Sequence, residues 1–244
     1  MPDWNARVMR HAGEAVVQWN MIDEGDHVLA CLSGGKDSWA MLHVLRQLQQ
    51  RAPVRFSLSA LKVDYPHDAA ANARIEAHCG QLGVLFTLVH TSIGDIIRQH
   101  GHRHKGHCSF CARLRRGHIY TQAEQMGITR VALGHHREDL NETLLLNLFH
   151  HGQLLAMRPC YRPQGHAFDV IRPLALVPEA DVAALAEQLG APIEHESCPL
   201  ADNNERSRTK ALLQKLTADY PHLAGNLLSA QKCAGLLGSY SSGE

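Results

Sequence analysis

Ser33-Gly34-Gly35-Lys36-Asp37-Ser38 is the run whose residue types and spacing most directly imply chemistry. Two adjacent glycines let a backbone approach an anion closely, with its amides turned toward it. Lys36 adds a point charge suited to phosphate, and Ser33 and Ser38 add hydroxyl donors. Asp37 can hold Mg²⁺ beside those phosphates or cap a following helix. A Walker A loop places its lysine after a longer glycine-to-glycine interval, so this is a different kind of phosphate loop.

A second constellation is made of thiols. Cys108-Ser109-Phe110-Cys111 is a C-x-x-C pair, and Cys198 in Ser197-Cys198-Pro199 adds a third sulfur. Such a set can bind a metal or a cluster, or form a redox disulfide. His102, His104 and His107 could complete a zinc site. Three cysteines without a fourth suit an iron–sulfur cluster with one iron open to a non-protein ligand. Cys31, Cys79, Cys160 and Cys233 read as small structural hydrophobes.

Strands and helices have to position these loops. Helical spacing runs from Asp3 to Trp19, with Val8, Ala12, Ala15, Val16 and Trp19 on one face. His27 to Leu32 is a short apolar run ending in glycines, which predicts a buried strand opening into the phosphate loop. Further strands are expected at 55–63, 84–89, 130–133, 170–173 and 193–195. Helices are expected at 39–48, 69–82, 113–126, 139–149 and 179–189. Residues 101–111 read as loop, and 205–237 as helical with an interruption near Pro221. The alternation predicts an α/β fold: a parallel sheet flanked by helices on both faces, with a C-terminal helical segment. The division expected is an N-terminal helix (1–24), a nucleotide-binding catalytic domain (25–200) carrying a cysteine loop (101–117), and a helical tail (201–244).

The chain has 244 residues, 45% of them hydrophobic and 20% charged, which argues against disorder. Its formal charge is zero, so no global basic field marks it for nucleic acid. No apolar run is long enough to span a bilayer, and the first residues lack the apolar core of a signal peptide. A cytoplasmic location is expected. There, seven cysteines do not suggest a disulfide framework.

The phosphate run resembles the PP-loop of enzymes that cleave ATP between its α and β phosphates. More of the chain is similar to one branch of them, the tRNA 2-thiocytidine synthetases. The resemblance is carried by residues 20–26, by Ser33 to Ser38, and by Cys108 through Gly117. It continues in Ala132-Leu133-Gly134-His135-His136-Arg137-Glu138-Asp139 and Ile171-Arg172-Pro173-Leu174. It implies the adenine nucleotide alpha hydrolase-like fold, ATP, Mg²⁺, a tRNA, and a 4Fe-4S cluster on Cys108, Cys111 and Cys198. It also implies a nucleotide site of Ser33, Gly34, Gly35, Lys36, Asp37, Ser38, Gly134 and His135, with Val63 beside the adenosine. Lys36, Asp37, Asp139 and Arg115 are the implied catalytic set. Arg115 stands where related thiouridine enzymes carry a lysine, and an arginine stabilises charge rather than acting as a base. The chain departs from the family at a shorter second-strand exit and at Ala201, where relatives often carry another cysteine.

The implied activity is ATP-dependent sulfur insertion at C2 of an anticodon-loop cytidine. A cysteine desulfurase or other sulfur donor and a second copy of the chain are the expected protein partners. Basic residues Arg103, Lys105, Arg113, Arg115 and Arg116 beside the cysteines are candidates for RNA contact. Arg206, Arg208 and Lys210 form a second candidate cluster, and His135 and His136 are candidates for acid–base work. Other readings of the same residues are a PP-loop enzyme with a small-molecule substrate, a cluster-free persulfide enzyme, and a non-catalytic iron–sulfur or zinc module.

Overall fold

Asp3 opens the first helix by accepting a hydrogen bond from Ala6 N at 3.0 Å, and α1 (Trp4–Gln18) buries Val8, Ala12 and Ala15. The structure, a computed structural model, describes residues 3–65, 67–100, 107–194 and 205–238. After α1 the chain alternates strand and helix: β1 (His27–Cys31), α2 (Lys36–Arg51), β2 (Ser57–Asp64), α3 (Ala69–Gln81) and β3 (Leu85–His90). Then follow α4 (Ile93–His100), α5 (His107–Gln125), β4 (Arg130–Ala132), α6 (Arg137–His151), β5 (Cys160–Tyr161) and β6 (Asp169–Ile171). Three helices complete the described chain: α7 (Glu179–Gln188), α8 (Glu205–Asp219) and α9 (Leu223–Cys233). None of the helices among the described residues is long and apolar enough to cross a membrane.

The strands form one sheet in the order β3-β2-β1-β4-β6-β5. All pairings are parallel except that of β5 with β6. The chain runs outward from β1 to β2 and β3, then returns to place β4 on the other side of β1. That reversal opens a crevice between the carboxyl ends of β1 and β4. Alternate residues of β1 face opposite cores. Val28 and Ala30 join the cluster with Trp39, Leu42, Ile75, Leu140 and Val182, whereas Leu29 and Cys31 join Ile93, Ala123, Val131 and Phe168. The sheet is therefore covered on both faces, as the sequence pattern implies.

Three local expectations are corrected. Ile193 and Glu194 form no strand: Glu194 N donates to Gly34 O at 2.9 Å, so its backbone serves the phosphate loop instead of a ladder. The expected position of His195 in that strand lies outside the described residues. The stretch ending at Cys111 is not loop throughout, because α5 begins at His107. β5 and α4 were not anticipated; a two-residue strand carries almost no periodic signal, and α4 lies just before the polar stretch.

At the opposite end of the sheet, buried Arg130 joins three segments. It donates to Asp26 Oδ2 at 2.8 Å and Asp23 Oδ2 at 2.8 Å, and it pairs with Asp169. Burial alone would raise the Asp26 carboxyl, but the Asp23 amide and the Arg130 guanidinium hold it below its ordinary value. A depressed folded-state value contributes stability above the unfolded pKa of about 4, and that contribution is lost as pH falls through the folded value. Arg130→Met leaves buried Asp26 without a cation, while Asp169 keeps Arg162, and is expected to destabilise the fold by about 3 kcal/mol in urea titrations. It should also flatten the loss of stability below about pH 4. An unchanged urea midpoint contradicts this account of the network.

Candidate active site

The phosphate loop connects β1 to α2. Gly34 has φ +88°, a left-handed conformation that suits glycine. Gly35 is the N-cap of α2 and offers no side chain to it, so the first-turn amides keep donors for an anion. Within the loop, Ser33 Oγ accepts from Gly35 N at 3.2 Å, and Ser38 Oγ donates to Gly35 O at 2.8 Å. These bonds fix the turn and leave Lys36 at its mouth. Trp39 donates to Pro192 O at 3.1 Å, and Glu194 packs on Gly34, so 192–194 brace the loop from behind.

The loop after β4 closes on this one. A Cβ placed on Gly134 would lie 2.9 Å from Asp37 O and 3.1 Å from Ser38 N. Glycine is therefore what permits the two loops to touch. His136, next in this loop but one, is the N-cap of α6 and is 2% exposed. Its backbone N donates to Asp139 Oδ2 at 2.9 Å. Its ring lies among four carboxylates. Nδ1 is 3.4 Å from Glu138 Oε2 and 3.5 Å from Asp139 Oδ2. Nε2 is 3.9 Å from Asp37 Oδ1 and 3.8 Å from Glu179 Oε1. These are charge contacts rather than aligned hydrogen bonds, and Nδ1 has no directed partner. Burial opposes protonation, yet the surrounding carboxylates raise the His136 pKa above its ordinary value.

Neighbouring His135 goes the other way. Burial and the Arg172 guanidinium push its pKa down to about 3, and Arg172 Nε donates to its Nδ1 at 3.2 Å. His135 is thus neutral, with its proton on Nε2, while His136 is shifted toward its charged form. Asp139 is held below its ordinary value, against burial, by the His136 ring, Arg206 and the His136 amide. Glu138 is drawn down to about 2 despite burial, by His136 and by Arg137 donating at 2.6 Å and 3.0 Å; its other oxygen accepts Glu179 N at 2.7 Å.

The C-terminal helix α8 reaches into this layer. Arg206 pairs with Asp139 and lies 3.4 Å from Glu142. Lys210 Nζ lies 2.6 Å from Glu179 Oε1, the same oxygen that Lys36 Nζ approaches at 3.1 Å. Arg208 bonds Glu205 at 3.1 Å. The second basic cluster expected for RNA contact thus pairs with carboxylates of this chain while its side chains stay partly exposed. Sequence reasoning missed Glu138 and Glu179 because acidic residues in helical first turns usually only favour the helix dipole, and Glu142 because its partner Arg206 is 64 positions away. Behind the ion pairs lies a cavity of about 730 Å³ between α6, α7, α8 and α9.

The remaining expected site residues are more scattered. Val63 is buried near the end of β2, beside the β1 exit. Asp64 follows it and accepts from Asn72 at 2.7 Å and lies 2.7 Å from His67 and 3.0 Å from His90. Arg115 is half-buried on α5, flanked by exposed Arg113 and Arg116. Positions 108 and 111 are one turn apart in α5, and Cys111 packs against the second core cluster. Cys198, Arg103 and Lys105 lie outside the described residues. Burial pushes the Cys31 thiol up to about 12, and those of Cys79 and Cys160 to about 11, so these three are poor thiolate ligands. Among the described residues no group of three His, Cys, Asp or Glu is spaced to hold a metal ion. Mg²⁺ needs no such cage; one or two carboxylates and the phosphates of a nucleotide suffice, and Asp37 stands at the mouth of the loop.

Residues 6–215 match the PP-loop domain family. The chain is 40% identical over 226 residues to the tRNA-cytidine(32) 2-sulfurtransferase of Syntrophotalea carbinolica, covering 92% of this chain and 87% of that one. The chain belongs to the PP-loop family, in its tRNA-cytidine 2-sulfurtransferase branch. It is also 42% identical over 216 residues to the enzyme of the same name from Xanthomonas euvesicatoria, covering 88% of this chain and 71% of the other. In fold it resembles the U34-tRNA thiolase NcsA from Methanococcus maripaludis, solved with its [4Fe-4S] cluster. That likeness has a TM-score of 0.76 at 21% identity, covering 95% of this chain and 78% of that one. Sulfurtransferase membership makes this chain a PP-loop enzyme.

Gly134→Ala is expected to force the two loops apart and cost about 1–3 kcal/mol in thermal denaturation. Gly225→Ala, with open space around its Cβ, serves as the control and should not destabilise. His136→Gln should flatten the pH dependence of stability above about pH 6.5. The raised folded value makes the charged ring stabilising at lower pH, and that contribution disappears as pH rises through it. A wild-type stability that does not fall across that range contradicts the upward shift of His136.

Proposed function

We propose that this chain is an ATP-dependent tRNA thiolase that replaces the C2 oxygen of the tRNA cytidine at position 32 by sulfur, the reaction named for its relatives. The observation that carries the reading is the seating of Gly134 against the Asp37–Ser38 backbone, which builds one anion site from two loops at the sheet's switch point. The C2 carbonyl of cytosine is a poor electrophile with a poor leaving group. Attack of its oxygen on the α phosphate of ATP expels pyrophosphate and activates the carbon. Sulfide then attacks C2, and AMP departs with the oxygen. Oxygen and sulfur exchange at the same oxidation level, so no external reductant enters this step.

In this reading the amides of Gly34, Gly35 and the first turn of α2 cradle the phosphates, with Ser33 and Ser38 shaping the turn. Lys36 stabilises charge developing on the leaving pyrophosphate. Asp37 holds Mg²⁺, and Asp139, fixed by His136 N and Arg206, positions metal or substrate; its depressed pKa suits a ligand rather than a base. His135 serves as a neutral Nε2–H donor, which narrows the acid–base role expected of the two histidines. Val63 lies beside the adenosine, and Gly134 keeps the loops together. Cys108, Cys111 and Cys198 would hold a 4Fe-4S cluster, which would supply a thiophilic metal site for the sulfur. Arg115 stabilises charge near it.

The RNA is held through phosphate contacts by α5, where Arg113 and Arg116 are exposed, and the target base is unstacked into the crevice. The same reading makes the enzyme cytoplasmic, served by a cysteine desulfurase or another sulfur donor, and able to pair with a second copy. It keeps the division into an N-terminal helix (1–24), a catalytic domain (25–200) and a helical tail (201–244). Nucleoside mass spectrometry of tRNA from cells lacking the protein should show 2-thiocytidine lost and restored by the wild-type chain. Restoration should fail with Lys36→Ala. Unchanged 2-thiocytidine in a host with no second copy overturns the assignment.

A further inference from the structure

Lys36 is not free to meet a phosphate. Its ammonium lies 2.7 Å from Asp37 Oδ1 and 3.1 Å from Glu179 Oε1. The partner on α7 is the significant one, because it ties the phosphate loop to an element 143 positions away. A nucleotide has to compete with Glu179 for this lysine. Glu179 Oε1, however, is also 2.6 Å from Lys210 on α8 and 3.8 Å from His136 Nε2. When Lys36 leaves, the carboxylate still has a direct cationic partner.

We propose that Lys210 is a positioning residue for nucleotide binding: by holding Glu179, it releases Lys36 to the ATP phosphates. The inference rests on the phosphate-binding role given to Lys36 above. Without Lys210, Glu179 depends on Lys36 for its direct neutralisation and retains it more tightly. Without Glu179, Lys36 has no competing partner on α7, and Lys210 has nothing to hold. The two side chains therefore act on ATP in opposite directions and through one another. These groups are a fifth to two fifths exposed, which keeps each effect modest. The sequence pattern of α8 did not disclose the role, because Lys210 meets its carboxylate 31 positions earlier in the chain.

The test is a mutant cycle read by calorimetric titration with α,β-methylene-ATP and Mg²⁺. Lys210→Met should weaken binding about three- to fivefold, and Glu179→Gln should strengthen it by a similar factor, the scale of a partly exposed ion pair. In the Glu179→Gln background, Lys210→Met should have no further effect. A lysine that only props α8, or that touches phosphate itself, would weaken binding equally in both backgrounds, and that result overturns the proposal. Weaker binding by Glu179→Gln overturns it as well. Lys36→Met separates the two levels: if it leaves affinity unchanged, the phosphate-loop reading fails. If it weakens binding while the cycle is additive, only the role of Lys210 fails.

Discussion

Everything at this site depends on one close approach, the contact of Gly134 with the backbone of Asp37 and Ser38. Two strand-to-helix turns, one from each side of the reversal in strand order, meet with no room for a Cβ between them. The meeting places the uncapped amino end of α2 beside the amino end of α6. Helix amino ends carry partial positive charge and unsatisfied amides. Bringing two together is favourable only where anions gather, and the carboxylates of Asp37, Glu138, Asp139 and Glu179 gather there.

Those carboxylates would repel one another if left alone. Cations interleaved from other elements resolve the conflict: His136 inside the ring, Arg206 and Lys210 from α8, and Lys36 from the phosphate loop. The result is a preorganised and nearly neutral layer. It shifts the pKa values of two adjacent histidines in opposite directions, since one faces Arg172 and the other faces acids. It also makes the C-terminal helices part of the site rather than an appendage, with Asn141 donating to Ala224 O at 2.9 Å to hold α9 on α6.

The sheet, its helical cover and the phosphate loop were legible because each is written in local pattern. An apolar run ending in glycines needs no distant information to be read as a strand and an anion loop. The place of the Gly134 to Asp139 block at a strand carboxyl end was legible from topology, and its residue roles only through family resemblance, since no local rule shifts two adjacent histidines in opposite directions. The ion pairs of Arg206 and Lys210 were not legible either, because their partners Asp139 and Glu179 are 67 and 31 positions away. β5 was too short to read, and Glu194 was read as strand although its amide serves Gly34.

The sulfurtransferases to which this chain is similar carry one reaction in their name, so the decisive measurement is of its stoichiometry. Cluster-reconstituted protein, ATP, Mg²⁺, sulfide and a tRNA bearing an unmodified cytidine at the target position should yield one AMP and one pyrophosphate for each 2-thiocytidine formed. ATP cleavage should fall to background when that cytidine is replaced by uridine. Release of ADP and phosphate instead, or AMP formation at the same rate without tRNA, would contradict the account.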